Sequence, residues 1–229
     1  MKRFFLIIIF LNFYSAFSQD APNFEAVDSL YREDQFYFVT TYNAIQNAPK
    51  PISQNSFSAG LGIGFLRDFP VNKSRTFAIA PGIGFAYNNY KQNLLISEKD
   101  GQRYYSVIDG AIDYKKNKFA IYSVDIPIEI RWRTSTFNSH KFWRIYSGIK
   151  LSYNFLNQSR YIDTNESFKI NNNPDFNKIT YGVYLTTGFN TWNLYGYYGL
   201  QNIFKKGSFN NEEPLKMNSL NLGLMFYIL

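Results

Sequence analysis

Five charged residues lie in two stretches that are otherwise rich in large apolar side chains. Asp125, Glu129 and Arg131 belong to the first stretch, and Arg144 and Lys150 belong to the second. Carboxylates and cations held in a protected site form ion pairs, act as general acids and bases, or gate a pore. The spacing predicts that these residues interact. We call them the lumen charge network, because the strands considered below are expected to enclose them in the lumen of a barrel.

Residues that support catalysis are otherwise sparse. His140 is the single histidine, it lies beside Lys141 in a polar segment, and the chain has no cysteine. No Ser-His-Asp arrangement, metal cluster or phosphate loop is recognisable, and Gly60-x-Gly62-x-Gly64 fits the alternation of a strand. The sequence therefore predicts a protein that is not an enzyme and uses neither a cofactor nor a metal.

Both charged stretches alternate with a period of two, which indicates β-strands. Even-numbered residues from Ala120 to Trp132 are apolar, whereas the charged residues of that stretch are odd-numbered. In the second stretch the odd-numbered residues from Trp143 to Phe155 are mainly apolar, and the cations are even-numbered. Each strand therefore has one apolar face and one charged face.

Strand length favours a membrane protein. Each stretch alternates over about a dozen residues, whereas strands of soluble proteins usually have about 5–6 and membrane strands need about 9–11. A closed barrel would place the apolar face against lipid and the charged face in the lumen. The alternative is a soluble sandwich, in which the apolar faces form the core and the charged faces meet water.

Similar alternation along the chain predicts eight strands beginning at Gln35. The connections between them alternate in length: they are long at 46–55, 91–117, 157–177 and 205–215, and short at 68–75, 133–141 and 190–191. We predict an all-β fold, an eight-stranded antiparallel up-and-down transmembrane β-barrel with short periplasmic turns and longer extracellular loops.

The three tryptophans support this orientation. Trp132, Trp143 and Trp192 all lie on the predicted lipid-facing parity and beside predicted periplasmic turns. Tryptophan prefers the membrane interface, so we predict that the three form a membrane-interface belt.

The N-terminus has the pattern of a secretory signal. Lys2 and Arg3 precede an apolar run and a small-residue site at Ala16-Phe17-Ser18. We predict a signal peptide at 1–18, an acidic periplasmic arm at 19–34 and a barrel domain at 35–229. Removing the signal leaves 22 of the 24 basic residues against 17 acidic ones. This dispersed charge gives no indication of nucleic acid binding.

The longest connection contains a second hairpin. Apolar and aromatic runs flank Asp100-Gly101, a common hairpin turn. We expect the neighbouring strands to continue here as a ribbon beyond the membrane, with Asp100, Gly101, Arg103, Tyr104 and Tyr105 as candidate contacts to a partner. A passive surface loop is the alternative.

Inside an eight-stranded barrel there is room only for side chains. Buried charges are costly unless they are paired, so Asp125, Glu129 and Arg131 are expected to pair across strands with Arg144 and Lys150. Such a network would rigidify the barrel and exclude water. An ionic gate, opened by breaking a pair, is the alternative.

Several segments resemble one family of barrels. They are Tyr31-Arg-Glu-Asp-Gln-Phe-Tyr-Phe38, Thr41-Tyr-Asn43, Ser53-Gln-Asn-Ser-Phe57, Arg67-Asp-Phe-Pro-Val-Asn-Lys73 and Phe85-Ala-Tyr-Asn-Asn-Tyr-Lys-Gln-Asn93. Together they are similar to the PorT family, which comprises outer-membrane barrels of Bacteroidota associated with the type IX secretion system. That system exports proteases, adhesins and gliding-motility proteins.

The resemblance implies a non-enzymatic accessory or assembly component of protein export, and it transfers no catalytic residue. The expected location is the cell outer membrane after Sec-dependent export. The expected partners are outer-membrane lipid and other envelope proteins of the secretion system. A small porin-like channel and a surface adhesion or structural barrel remain the alternatives.

Overall fold

A computed structural model describes residues 32–54, 56–134, 142–209 and 213–228 of the chain. The predicted signal peptide, most of the acidic arm and His140 lie outside the described residues.

The strands are β1 (Gln35–Gln46), β2 (Ala59–Leu66), β3 (Phe69–Pro70), β4 (Phe77–Lys91), β5 (Leu94–Lys99), β6 (Gln102–Val107), β7 (Tyr114–Arg133), β8 (Trp143–Asp163), β9 (Ser167–Asn171), β10 (Ile179–Phe189), β11 (Trp192–Gly199), β12 (Ser208–Phe209), β13 (Glu213–Pro214) and β14 (Asn218–Ile228). Across these described ranges, no helix is long and apolar enough to cross a bilayer.

Eight of the strands close into one antiparallel barrel. The barrel follows the order β1, β2, β4, β7, β8, β10, β11 and β14, with every strand hydrogen-bonded to the next. β14 then pairs with β1, from Phe36 opposite Ile228 to Gln46 opposite Asn218. The predicted eight-stranded up-and-down barrel is confirmed.

The barrel has its apolar side chains outside and its charged side chains inside. Ile126, Ile149 and Leu222 have 48%, 60% and 51% of their surface exposed, whereas Asp125 and Glu129 have 3% and 0%. A soluble sandwich requires the opposite arrangement, because its apolar faces form the core. The soluble alternative is therefore wrong.

The two ends of the barrel differ, and we call them the turn end and the loop end. At the turn end β7 stops at Arg133 and β8 starts at Trp143, and β10 and β11 are separated by two residues. The long connections lie at the loop end and contain β5, β6, β9, β12 and β13. The predicted alternation of short and long connections agrees with this arrangement.

Two details of the loop end differ from the sequence prediction. The residues from 157 to 163, expected to lie in a loop, continue β8, and β9 pairs back onto them. The cause is a β-bulge beside Phe155, where the register shifts between Tyr122 and Ser123. A bulge inverts the alternation beyond it, so the continuation is hidden in the sequence. β5 and β6 form a separate two-stranded ribbon and do not extend the barrel strands.

Glycines leave space for a lumenal tyrosine. Tyr37 projects from β1 across Gly64 and Gly84, and a Cβ atom at either glycine would overlap its ring or hydroxyl. Tyr37 itself is 6% exposed. These glycines therefore allow a bulky aromatic ring to cross the narrow interior.

We expect Gly84→Ala to destabilise the barrel, because the new methyl group would displace Tyr37 and contact the Ile63 carbonyl. Overpacking of this kind costs about 1–3 kcal/mol. Denaturant unfolding followed by tryptophan fluorescence measures the loss. Gly196→Ala is the matched control, because a Cβ there meets only one Leu222 methyl at ordinary contact distance. Equal stability of the two variants would contradict this account of the interior.

Candidate functional site: the filled barrel interior

A cluster of charged side chains fills the turn end. Arg131 donates from Nε to Glu129 Oε2 at 2.8 Å and from Nη1 to Asp68 Oδ1 at 3.0 Å. Arg133 contacts both oxygens of Asp68, each at 2.8 Å, and its Nη1 lies 4.0 Å from Glu33 Oε2. Bidentate pairing to an arginine is the strongest geometry for a carboxylate. The cluster therefore ties the connection after β2 to the end of β7.

The protonation of Asp68 depends on these arginines. Its side chain has no exposed surface, and burial alone would raise the pKa of this carboxyl. The hydrogen bonds and charge of Arg133, followed by those of Arg131, outweigh burial and lower the pKa of Asp68 below its ordinary value of 3.8. Asp68 is therefore ionised at neutral pH and neutralises charge on both arginines.

Lumenal tyrosines complete the coordination of Glu129. The hydroxyls of Tyr184 and Tyr227 each donate to Glu129 Oε1 at 3.0 Å. The guanidinium of Arg131 lies 4.9 Å from the ring centre of Tyr146, a distance typical of a cation–π interaction. Glu129 thus has a partner on each oxygen and no exposed surface.

Arg144 differs from the expected arrangement. It is 3% exposed, and its Nε and Nη1 have no hydrogen-bond partner among the described residues. Its guanidinium instead lies over the rings of Phe142, Tyr227 and Tyr146, at 4.4, 5.5 and 6.0 Å from their centres. Among the described residues, the expected ion pair between Arg144 and a carboxylate on a neighbouring strand is absent. Aromatic rings surround the guanidinium charge instead.

A second ion pair lies midway along the barrel. Lys150 Nζ is 3.4 Å from Asp125 Oδ2, and Ser123 donates to the other carboxylate oxygen at 2.7 Å. The ammonium also lies 3.3 Å from the Tyr195 hydroxyl and 4.2 Å from the ring centre of Tyr197. This pair joins β7 to β8 and is enclosed by aromatic rings.

The space left in the interior is small. Two cavities of about 30 and 40 Å³ flank Lys150, and both are also lined by Asn88 and Asn221. Ligand sites usually need about 300–1,000 Å³, whereas a single water needs only about 10–15 Å³. Each cavity is therefore suited to a few water molecules and is far too small for an organic ligand.

Apolar side chains close the loop end. The rings of Phe119, Phe176 and Phe204 pack together, with centres 4.2 to 5.7 Å apart. Leu94 and Met217, which have no exposed surface, belong to the same cluster. We call these residues the apolar cap, because they cover the barrel interior beneath the long connections.

The ribbon formed by β5 and β6 is anchored on this cap. Tyr105, a predicted partner contact, is 6% exposed, and its hydroxyl donates to Asp175 at 2.6 Å. Burial and the Asp175 hydrogen bond raise the pKa of this hydroxyl. Tyr105 therefore anchors the ribbon on the cap, and little of its side chain is accessible from outside.

Of the other predicted ribbon contacts, Asp100, Gly101 and Tyr104 are exposed, whereas the side chain of Arg103 is only 16% exposed. Tyr104 is 40% exposed, and Asp100 and Gly101 form the exposed turn with positive φ angles of 49° and 76°. Arg103 pairs with Glu98 at 2.8 Å. The accessible part of the ribbon is thus its tip and the face that carries Tyr104.

The predicted tryptophan belt lies on the outer wall. Trp132, Trp143 and Trp192 are 37%, 58% and 64% exposed, and all lie at strand ends next to the turn end. The ring of Trp192 packs edge-on against the ring of Phe226, and the two ring centres are 5.0 Å apart. All three therefore lie on the outer wall near the turn end, and their role as a membrane-interface belt stays a prediction.

Three charged members of the interior, Glu33, Asp68 and Arg133, were not predicted from the amino-acid sequence. Arg133 continues the parity of Arg131, so the alternation could have revealed it. Glu33 and Asp68 lie outside the barrel strands, where alternation carries no information. Their contacts depend on how distant segments meet in three dimensions.

Comparison with known proteins identifies a family of membrane barrels. A family model for the outer membrane protein beta-barrel domain matches residues 17–205. No curated protein and no solved structure matches the chain.

We expect Asp68→Asn to destabilise the barrel by about 3–5 kcal/mol, because it leaves two buried guanidinium groups without their shared carboxylate. Denaturant unfolding at neutral pH measures the change. Asp100→Asn, at the exposed ribbon tip, removes the same charge and should leave stability unchanged. A loss of similar size in both variants would contradict a specific role for the turn-end cluster.

The same carboxyl predicts a pH dependence. Since the folded state lowers the pKa of Asp68 below 3.8, its contribution to stability is complete well above pH 3.8. The contribution declines as the pH falls through and below that value. Unfolding curves measured down to low pH should show this decline in the wild type and a smaller decline in Asp68→Asn. Parallel pH profiles would contradict the assignment.

Proposed function

The chain belongs to the family of outer membrane protein beta-barrel domains, and we propose that within it this protein is a non-enzymatic, PorT-like accessory of type IX protein export. In this role the barrel holds or assembles other envelope components and does not conduct solutes. Its location is the outer membrane, with the loop end facing outwards and the turn end facing the periplasm, as in other barrels of this kind.

The filled interior is the observation that carries the proposal. Ion pairs occupy the turn end, Asp125 and Lys150 occupy the middle, and the apolar cap covers the loop end. A channel needs a continuous aqueous path, whereas the two interior cavities described above hold a few waters each. A barrel closed along its length suits a scaffold better than a transporter.

Ordered features outside the membrane supply the surfaces that a scaffold needs. The ribbon of β5 and β6 is fixed at its base through Tyr105 and Asp175, so its tip is presented in a defined position. Exposed strand edges and tyrosines are common elements of protein recognition. The proposed contact with a secretion-system protein is therefore the face carrying Gln102 and Tyr104, which are joined by a hydrogen bond of 3.2 Å.

The titratable side chains of the described interior are engaged within the protein. Among the described residues, no three His, Asp or Glu side chains are grouped as metal ligands. The interior carboxylates are already engaged: Glu129 contacts Arg131 and two tyrosines, and Asp125 contacts Lys150 and Ser123. Neither is available to act on a substrate.

Deletion of the gene in the native bacterium tests the proposal. We expect loss of cargo secretion and of surface adhesins, restored by the wild-type gene. Unchanged secretion in the deletion strain would reject a role in export.

Complementation with ribbon variants tests the proposed contact. The double variant Gln102→Ala, Tyr104→Ala should reach the membrane at the wild-type level but restore secretion poorly. Ile112→Ala, which truncates a 49% exposed side chain outside the ribbon, is the matched control and should restore secretion fully. Full activity of the ribbon variant would exclude this face as the contact.

Planar-bilayer recording separates a scaffold from a small porin. We expect no steady openings from the purified wild-type barrel, because its interior is filled. Steady openings that change when Asp125 or Arg144 is neutralised would support a channel and overturn the scaffold.

A further inference from the structure

Four basic residues form a row across the outer wall near the loop end. The strand register places Lys91 opposite Lys118, Lys118 opposite Arg160, and Arg160 opposite Lys169, so that the row crosses β4, β7, β8 and β9. We call these four residues the basic row. Each is exposed or half-buried.

Burial of the adjacent residues shows that the row faces outwards. Tyr90, Phe119 and Ile170 each precede or follow a member of the row. They are 1%, 0% and 5% exposed, and they belong to the same buried cluster as the residues of the apolar cap. Successive residues of a strand point to opposite faces. The basic row therefore lies on the same side as the lipid-facing residues of the barrel.

Within the described ranges, the charge of the row is not paired with carboxylates. Like charges directly opposite each other on neighbouring strands are destabilising, and none of the four forms an ion pair with another described residue. The nearby carboxylate of Asp163 is engaged by the Tyr161 hydroxyl and by the backbone N–H groups of Asn165 and Glu166. Four adjacent cations thus have no carboxylate ion-paired to them among the described residues.

The height of the row corresponds to the headgroup region. Along β7, ten residues separate Trp132 from Tyr122, and at about 3.3 Å per residue and a tilt of about 40° they span roughly 25 Å, the thickness of the apolar band of a membrane barrel. Tyr122 and Tyr87, whose ring centres are 5.0 Å apart, mark the upper border of this band. Lys118 Nζ lies 3.1 Å from the Tyr87 hydroxyl, so the row begins where the band ends.

An open pocket adjoins one end of the row. It has a volume of about 250 Å³ and is lined by Lys91, Lys115 and Lys116 and by one carboxylate, Asp113. The pocket therefore adds two more cations beside the row and offers space for a phosphate group.

We propose that the basic row binds the phosphate groups of anionic lipids in the outer leaflet. The row spans about 14 Å at the usual strand spacing of about 4.8 Å, which is wide enough for two phosphates. Its continuity with the lipid-facing wall favours a lipid over a soluble acidic partner. Basic residues at a membrane surface attract anionic headgroups in this way.

Retention of phosphorylated lipid A tests the proposal. The full-length chain, folded in micelles containing phosphatidylcholine and diphosphorylated lipid A, is examined by native mass spectrometry. The variant K91Q/K118Q/R160Q/K169Q should retain lipid A about tenfold or more weakly than the wild type. K50Q/K178Q/K205Q/K206Q removes the same charge from exposed positions outside the row and should retain lipid A normally.

Further arms separate specific phosphate binding from other causes. Dephosphorylated lipid A should be retained weakly by every variant, and K91R/K118R/K169R should bind like the wild type. Heat-modifiable migration on gels verifies that each variant is folded. If the fourfold variant K91Q/K118Q/R160Q/K169Q does not fold, the double variant K118Q/R160Q is used in its place. Equal retention by the row and control variants would overturn the proposal. So would equal retention of the dephosphorylated lipid, or displacement of lipid A by inorganic phosphate at comparable concentration.

Discussion

Neutralisation of charge inside a narrow, apolar-walled tube is the constraint on which the interior depends. In the described part of the chain, four carboxylates (Glu33, Asp68, Asp125 and Glu129) face four cations (Arg131, Arg133, Arg144 and Lys150), so the formal charges cancel. An unpaired charge in such a place would be costly. The balance is collective: Asp68 contacts two arginines, whereas the guanidinium of Arg144 lies over aromatic rings.

The interior is divided into three layers with different chemistry. Ion pairs and tyrosines fill the turn end. The Asp125–Lys150 pair and the amides of Asn88 and Asn221 occupy the middle, and aromatic and aliphatic side chains form the apolar cap. Polar layers specify geometry through directional hydrogen bonds, whereas the cap packs by shape. The turn-end half is thus held by ion pairs and hydrogen bonds, and the long connections pack on an apolar core of their own.

The amino-acid sequence predicts the fold well because alternation is a local property. Strand number, closure topology and the outward parity of Ile126, Ile149 and Leu222 all follow from a period of two and from loop lengths. Prediction fails where the period is interrupted or absent. Because the bulge beside Phe155 inverts the alternation, the loop-end part of β8 was not predicted as a strand. The contact between Asp68 and Arg133 was not predicted because 65 residues separate them.

The seam between β1 and β14 joins the two extremes of the described barrel. Its eleven paired positions connect residues near 40 with residues near 220, so no partial chain presents both sides of this junction. Before it forms, two strands carry unpaired backbone groups that lipid cannot satisfy. Both edge strands must therefore be protected until they pair, and a chain truncated before β14 would remain an open sheet with two unpaired edges.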